Sequence, residues 1–300
     1  MKIDLNGQLI EEGQAVVSVY DHGFLYGMGL FETFRTYGGR PFLLDWHLER
    51  LSAGCAELDM AFVPDPEGLR QRIARILKDS GLNDAYFRYT VTAGSGALGL
   101  PAEPYEQLTE LLYAKPLPPA DPEVYRTGRG LQRLALPRST PEGRIRLKSL
   151  HYMNNILAKQ EMRKYPWARG AEGLFLDGQG RLCEGIVSNV FFVRHGVIHT
   201  PAPETGLLSG ITRRFVISLA GKLEIPVHEG FYEWEMLQQA EEVFLTNSIQ
   251  EIVPVTVLWD GQGREVRIGG GCIGPVTERL LLAYRQAAAD EETKQKAGGV

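Results

Sequence analysis

Apolar and polar positions alternate twice in quick succession near the start of the chain. IDLNGQLI sets Asn6-Gly7 between alternating apolar residues, a two-residue hairpin signal, and FETFRTYGGRPFLL repeats the pattern around Gly38-Gly39. The period then lengthens to that of a helix. Leu48, Leu51, Cys55 and Leu58 fall on one face of a helix that Asp45 is placed to cap, and Asp65-Pro66 opens another that Gly81 can close. Two further strand-like runs, AYFRYTVTA and QLTELLYA, flank the glycine-rich loop GSGALGLPAEP. The first third therefore predicts an α+β unit on an antiparallel sheet.

KPLPPADP, residues 115–122, resists helix and sheet alike because proline lacks a backbone donor. The organisation expected is a small N-terminal domain over 1–116, a linker over 117–128, a larger mixed α/β C-terminal domain over 129–288 and a flexible tail over 289–300. Within the larger domain, LQRLALPR and RIRLKSLHYMNN read as strands, the latter with Arg144, Arg146 and Lys148 on one face. NNILAKQEMRKY reads as a helix, EGLFLDGQGRLCEGI and SNVFFVRHGVIHT as hairpin-like pairs, and GITRRFVISLAG as a helix stopped by Gly221. EEVFLTNS is a strand ending in a polar turn, and GPVTERLLLAYRQAAA a closing amphipathic helix.

Composition narrows the class. An apolar content of 44% with 23% charged residues is that of an ordinary globular chain. No run reaches the roughly 20 apolar residues that span a bilayer, and MKIDLNGQLIEEG lacks a secretory signal, so a soluble cytoplasmic protein is expected. The net charge of −5, with scattered basic residues, argues against nucleic acid. Cys55, Cys183 and Cys272 are odd in number and far apart, without metal-ligand spacing, so neither a disulfide framework nor a bound metal is expected.

Several polar residues stand where a ligand would suit them. Lys148 ends an alternating run and is either part of a solvated basic face or a functional amine. In SGITRR, small residues precede a helix whose first N–H groups suit an anion as well as water, with the Thr212 hydroxyl as a further donor. Arg50, beside an apolar stripe, fits a salt bridge or a phosphate dianion. The Thr246-Asn247-Ser248 run is turn chemistry or a set of hydroxyl and amide donors. Glu184 lies in an apolar strand where an unpaired carboxylate is costly; its partner is a structural arginine or a protonated heterocyclic nitrogen.

DHGFLYGMGLFETFR, HLERL, RLKSLHYMNN, CEGIVSNVFF, GLLSGITRR and FLTNSIQEIVPV, in this order over roughly residues 1–260, resemble the fold-type IV pyridoxal-phosphate enzymes, the class IV aminotransferase family. The resemblance implies the D-amino-acid aminotransferase-like α/β fold, a two-domain homodimer, pyridoxal 5'-phosphate as cofactor and a small-molecule substrate. It implies Lys148 as Schiff-base lysine and proton shuttle, and Glu184 as partner of the pyridine nitrogen. Arg50, Ile211, Thr212, Ser248 and the neighbouring Asn247 would hold the cofactor phosphate.

Three activities compete within the family. D-amino-acid enzymes carry an Arg-x-His pair in the loop after the first-domain strand, where this chain has Leu98 and Leu100, and tend to have tyrosine where it has Phe31. Branched-chain enzymes have longer, arginine-containing loops and a tyrosine five positions after the lysine, where this chain has Met153. DHGFLYGMGLFETFR, PFLLDWHLERL and TPEGRIRLKSLHYMNN are similar to the lyases that release 4-aminobenzoate and pyruvate from 4-amino-4-deoxychorismate for folate synthesis. That activity would use Phe31, Thr33, Arg88 and Tyr152 around the substrate, with Thr33 or Tyr152 as an alternative to Lys148 for a second proton transfer, and Arg88 as a carboxylate partner unless it is in a structural ion pair.

Overall fold

Both Asn-Gly and Gly-Gly turns form as their chemistry requires. In the computed structural model, which describes residues 2–119 and 121–297 with side chains up to residue 290, β1 (Lys2–Leu5) and β2 (Gln8–Glu11) join through Asn6 and Gly7 at φ 51° and 81°. Gly38 and Gly39, at φ 57° and 80°, turn β3 (Gly29–Tyr37) into β4 (Arg40–Pro41), after a short helix α1 (His22–Tyr26). Helices α2 (Leu44–Glu57) and α3 (Pro66–Ser80) follow, then β5 (Ala85–Thr92) and β6 (Thr109–Pro116). The six strands make one antiparallel sheet, ordered β2-β1-β6-β5-β3-β4. Its core joins Leu30, Phe34 and Phe87 to Leu44, Leu48, Leu51 and Cys55 of α2 and to Leu69, Ile73 and Ile76 of α3. This is the first of two compact units, Met1–Pro118, which also takes in Leu147–His151 and the end of the chain from Ala288.

The second unit spans Pro119–Arg146 and Tyr152–Ala287. Helix α4 (Pro122–Thr127) leads into β7 (Arg129–Arg133), and α5 (Met153–Glu161) precedes β8 (Glu172–Leu176) and β9 (Leu182–Gly185). Strands β10 (Asn189–Arg194) and β11 (Val197–Pro201), helix α6 (Ile211–Lys222), β12 (Val227–Gly230), α7 (Trp234–Gln238), β13 (Glu242–Asn247), β14 (Glu251–Trp259), β15 (Glu265–Arg267) and α8 (Pro275–Ala297) complete it. The mixed sheet runs β12-β11-β10-β13-β14-β7-β8-β9, with β15 also on β14. Strand β10 is buried along nearly its whole length, in keeping with its continuous apolar run VFFV. A mixed α/β unit together with an antiparallel α+β unit is the fold class that the sequence predicts.

Local expectations change at five places. Arg144–Ser149 forms no strand: only Ser149 bridges to Leu30, and Ile145 on the supposed apolar face is 55% exposed. The backbone's partners explain this, since Phe31 N donates to Lys148 O at 2.9 Å and Leu150 N to Gly29 O at 3.0 Å, while the Arg146 guanidinium donates to the carbonyls of Ser139 and Gly206. Asp45 is not a cap; Leu43, in the left-handed region at φ 57°, precedes α2, and Asp45 in its first turn pairs with Arg70 at 2.6 Å. The proline-rich 115–122 stretch is partly regular, because β6 extends through Pro116 and Pro122 starts α4 behind the Asp121 cap. Helix α6 runs through Gly221 to Lys222. Helix α8 extends to Ala297, well into the expected tail; residues 298–300 lie outside the described residues.

Candidate active site

Lys148 is held in the first unit by its backbone. The hydrogen bonds to β3 fix residues 148–150, and His151 Nε2 lies 3.0 Å from Tyr26 O at the end of α1. Gly27 sits there at φ 72°, where a Cβ would come within 2.4 Å of the His151 ring, so only glycine lets the two segments meet. The Lys148 Nζ stands 4.6 Å from the centroid of Phe31, and the Arg88 guanidinium stands 3.6 Å from the same ring. Thr33 is two residues along β3 on the Phe31 side, opposite Arg88 in the β3–β5 register. Lys148, Phe31, Thr33 and Arg88 therefore form one cluster.

The other side of β3 faces α2. Glu32, 1% exposed, accepts from His47 Nδ1 at 2.6 Å and from Arg50 Nε and Nη2 at 2.8 and 2.6 Å. Burial alone would raise its pKa, but Arg50 first and His47 second outweigh it and bring the carboxyl down to about 2. Burial pulls the His47 pKa down, with Arg50 and Lys148 adding to the effect and Glu32 opposing it. Arg50, which the family resemblance assigns to phosphate, thus grips Glu32 with two of its nitrogens. Sequence reasoning does not single out Glu32 or His47. The signal is nevertheless present: Glu32 is an acid inside an apolar strand, as Glu184 is.

These pKa displacements set a pH dependence. His47, depressed below 6.5 in the fold, costs stability as pH falls below 6.5, because only the unfolded chain takes up the proton. Glu32 adds stability that is complete above 4.5 and lost as pH falls toward 2, on the order of 3 kcal/mol. Thermal melts from pH 7 to pH 3 should show the Tm of wild type falling more steeply than that of Glu32→Gln below pH 4.5; parallel curves would remove Glu32 from this account.

In the second unit, Glu184 is 5% exposed at the end of β9. Its Oε1 accepts from Arg138 Nε at 2.7 Å and its Oε2 from Leu208 N at 3.0 Å, while Arg146 Nε stands 3.9 Å from Oε1. The structural-arginine partner weighed from sequence is therefore present, and it is Arg138. Burial and then Arg138 draw the Arg146 pKa down, with Glu184 acting against them. Sequence reasoning picks out neither arginine, since both are distant from Glu184 along the chain and lie among other basic residues.

The start of α6 lies in the same unit. Gly210 precedes it without a capping side chain, so the N–H groups of Ile211 and Thr212 stand outside the helix's own ladder. The Thr212 hydroxyl is 3.3 Å from the Ser248 hydroxyl. A Cβ on Gly210 would lie 2.1 Å from Asn189 Oδ1, so glycine is needed for this close approach. Asn247 closes its own turn, accepting from Ile249 N and Gln250 N at 3.0 and 2.8 Å, which is the turn-chemistry reading. Tyr152 forms the N-cap of α5, without a side-chain cap bond. Lys148 and Glu184 belong to different units.

These groups fit pyridoxal phosphate chemically. The two Glu184 bonds occupy one acceptor site on each oxygen and leave the others able to take a ring N–H. The helix start with two adjacent hydroxyls suits a phosphate. Among the described residues, no cluster of His, Cys, Asp or Glu could hold a metal ion, and no helix is long and apolar enough to cross a membrane.

The fold, with a buried carboxylate and a helix start in its second unit, suits a phosphorylated ring cofactor. The chain belongs to the class IV aminotransferases, the pyridoxal 5'-phosphate enzymes of fold type IV: the family model "Amino-transferase class IV" matches residues 29–258. It is 40% identical over 286 residues to the aminodeoxychorismate lyase of Bacillus subtilis (strain 168), covering 95% of this chain and 94% of that one. It is 36% identical to a putative branched-chain-amino-acid aminotransferase of Methanocaldococcus jannaschii, covering 95% and 96%. Among solved structures, the T.th. branched-chain amino acid aminotransferase with pyridoxamine 5'-phosphate superposes with a TM-score of 0.83 at 31% identity, covering 96% of this chain and 93% of that one. The 4-amino-4-deoxychorismate lyase of Pseudomonas aeruginosa superposes with a TM-score of 0.81 at 28% identity, covering 95% and 98%.

Proposed function

We propose that this chain is a 4-amino-4-deoxychorismate lyase, forming 4-aminobenzoate and pyruvate for folate synthesis. The observation that carries the reading is that the Lys148 amine and the Arg88 guanidinium both contact the Phe31 ring, 4.6 and 3.6 Å from its centroid, so that a cation for a substrate carboxylate and the proposed base meet the same side chain. The similarity to the Bacillus subtilis lyase favours lyase over transaminase, as do Leu98 and Leu100, 68% and 89% exposed, where a D-amino-acid enzyme has its Arg-x-His pair.

Bound pyridoxal phosphate supplies an electron sink for the bond that breaks. Lys148 Nζ would attach the cofactor and, when free, would take the proton from the substrate ring carbon that bears nitrogen. Glu184 would hold the ring nitrogen. Ile211 N, Thr212, Ser248 and Arg50 would hold the phosphate, with Arg50 kept in position by Glu32. Lys148, Thr33 or Tyr152 returns a proton to the departing three-carbon fragment. The chain acts as a cytoplasmic homodimer on a small molecule and binds neither nucleic acid nor membrane. Exposed Val16, Val19 and Phe24 in the first unit, 75%, 67% and 72% accessible, support a self-association face.

The test is incubation of the pyridoxal-phosphate-loaded protein with 4-amino-4-deoxychorismate and no keto acid. Stoichiometric 4-aminobenzoate and pyruvate are expected. Turnover that requires a keto-acid acceptor would assign the chain to the aminotransferases instead.

A further inference from the structure

Arg138 is held by several partners at once. Nε donates to Glu184 Oε1 at 2.7 Å, and Nη1 donates to Asn154 Oδ1 and Asn155 Oδ1 at 2.7 and 3.2 Å. The guanidinium lies 5.1 Å from the Phe175 ring centroid, and Arg138 N donates to Leu176 O at 2.8 Å. Both asparagines are fixed in turn: Asn155 Nδ2 donates to Ile186 O at 2.6 Å and Asn154 Nδ2 to Pro137 O at 3.2 Å. Upstream, the Glu161 carboxylate accepts from the N–H groups of Ala135 and Leu136 at 2.6 and 2.9 Å, which holds the segment that delivers Arg138.

This rigidity exceeds what neutralising one buried carboxylate requires. Arg146 stands 3.9 Å from the same Glu184 oxygen and could supply that charge alone, with its Nε donating to Gly206 O and its Nη2 to Ser139 O. Two guanidinium groups thus compete for Oε1. The one that wins is oriented by α5 and β8, while Leu208 N fixes Oε2 from the segment just before α6. The direction in which Glu184 presents its remaining acceptor sites is therefore imposed from two sides.

We infer that Arg138 is a positioning residue for the cofactor ring: it acts through Glu184, and Asn154 and Asn155 at the start of α5 hold it in place. This rests on the assignment of Glu184 to the pyridine nitrogen made above. Without Arg138, Glu184 turns toward Arg146 and away from the ring. The proton on the ring nitrogen then loses its acceptor.

The experiment reconstitutes wild type, Arg138→Met and Arg138→Lys with pyridoxal phosphate labelled with 15N at the ring and records the nitrogen resonance across pH, with kcat, KM and Tm alongside. Wild type should show a protonated ring nitrogen. Arg138→Met should move the resonance toward the unprotonated position and lower kcat by about 10- to 100-fold with little change in KM. Arg138→Lys, which keeps one charged donor, should recover part of both effects, and it stands in should the methionine variant not fold. A wild-type resonance with either folded variant's unchanged, whatever the Tm, overturns the role of Arg138. A wild type that takes up no cofactor, or whose ring nitrogen is unprotonated, overturns the assignment of Glu184 instead.

Discussion

Lys148→Ala should abolish turnover, lowering kcat by at least about 10³- to 10⁴-fold, while leaving the fold almost untouched. The two halves of this expectation come from different atoms. What residue 148 gives the structure is its backbone: its carbonyl accepts from Phe31 N, and its neighbour Leu150 donates to Gly29 O. Alanine keeps both bonds. What it gives the chemistry is an amine over the Phe31 ring, and alanine removes it. The structural loss includes a cation–ring contact, worth about 0.5–1 kcal/mol. The variant should keep a melting temperature close to that of wild type and retain affinity for the cofactor through the phosphate contacts. Borohydride reduction followed by peptide mapping should label residue 148 in wild type and nothing in the variant. Substantial residual turnover, or a label on another lysine, would place the reactive amine elsewhere.

The sequence made one half of this arrangement plain and hid the other. Hairpins turned by Asn6-Gly7 and Gly38-Gly39, the proline-started α3 and the apolar VFFV run of β10 follow from local chemistry that a short window contains. The segment around Lys148 does not. Its alternation looks like a strand, but its conformation is set by which distant carbonyls and N–H groups are within reach: Gly29 and Phe31 for the backbone, Ser139 and Gly206 for Arg146. No local pattern encodes those partners. The same holds for charge. Glu184 could be flagged because a carboxylate in an apolar strand needs a partner, but Arg138 lies 46 positions earlier and only the fold joins them. Glu32 was legible by the same rule, and its partners His47 and Arg50, three residues apart on α2, were legible as neighbours on a helix face. Arg50 shows the limit of reading one residue at a time. A guanidinium that suits a phosphate suits a buried carboxylate equally well, and sequence alone did not reveal that Glu32 takes two of its nitrogens.

Glu184→Gln should act on stability and chemistry together, in contrast to Lys148→Ala. The carboxylate now accepts from Arg138 on one oxygen and from Leu208 N on the other. An amide can satisfy only one of these with its oxygen; its NH₂ group then faces either a guanidinium or a backbone N–H, donor against donor. The guanidinium groups of Arg138 and Arg146 lose the carboxylate they share, and breaking a buried pair by removing one member typically costs about 3–5 kcal/mol. At roughly 2–4 °C per kcal/mol for a chain of this order of size, Tm should fall by roughly 6–20 °C. Turnover should fall because a neutral amide does not stabilise a charged ring nitrogen. Glu184→Asp separates the two effects: it keeps the charge near Arg138 but withdraws it by one methylene, so stability should recover more than activity. If Glu184→Gln instead melts with wild type, the Arg138 pair contributes nothing net to the fold. If it also turns over normally, the ring nitrogen does not depend on this carboxylate, and the proton it needs is held by another group.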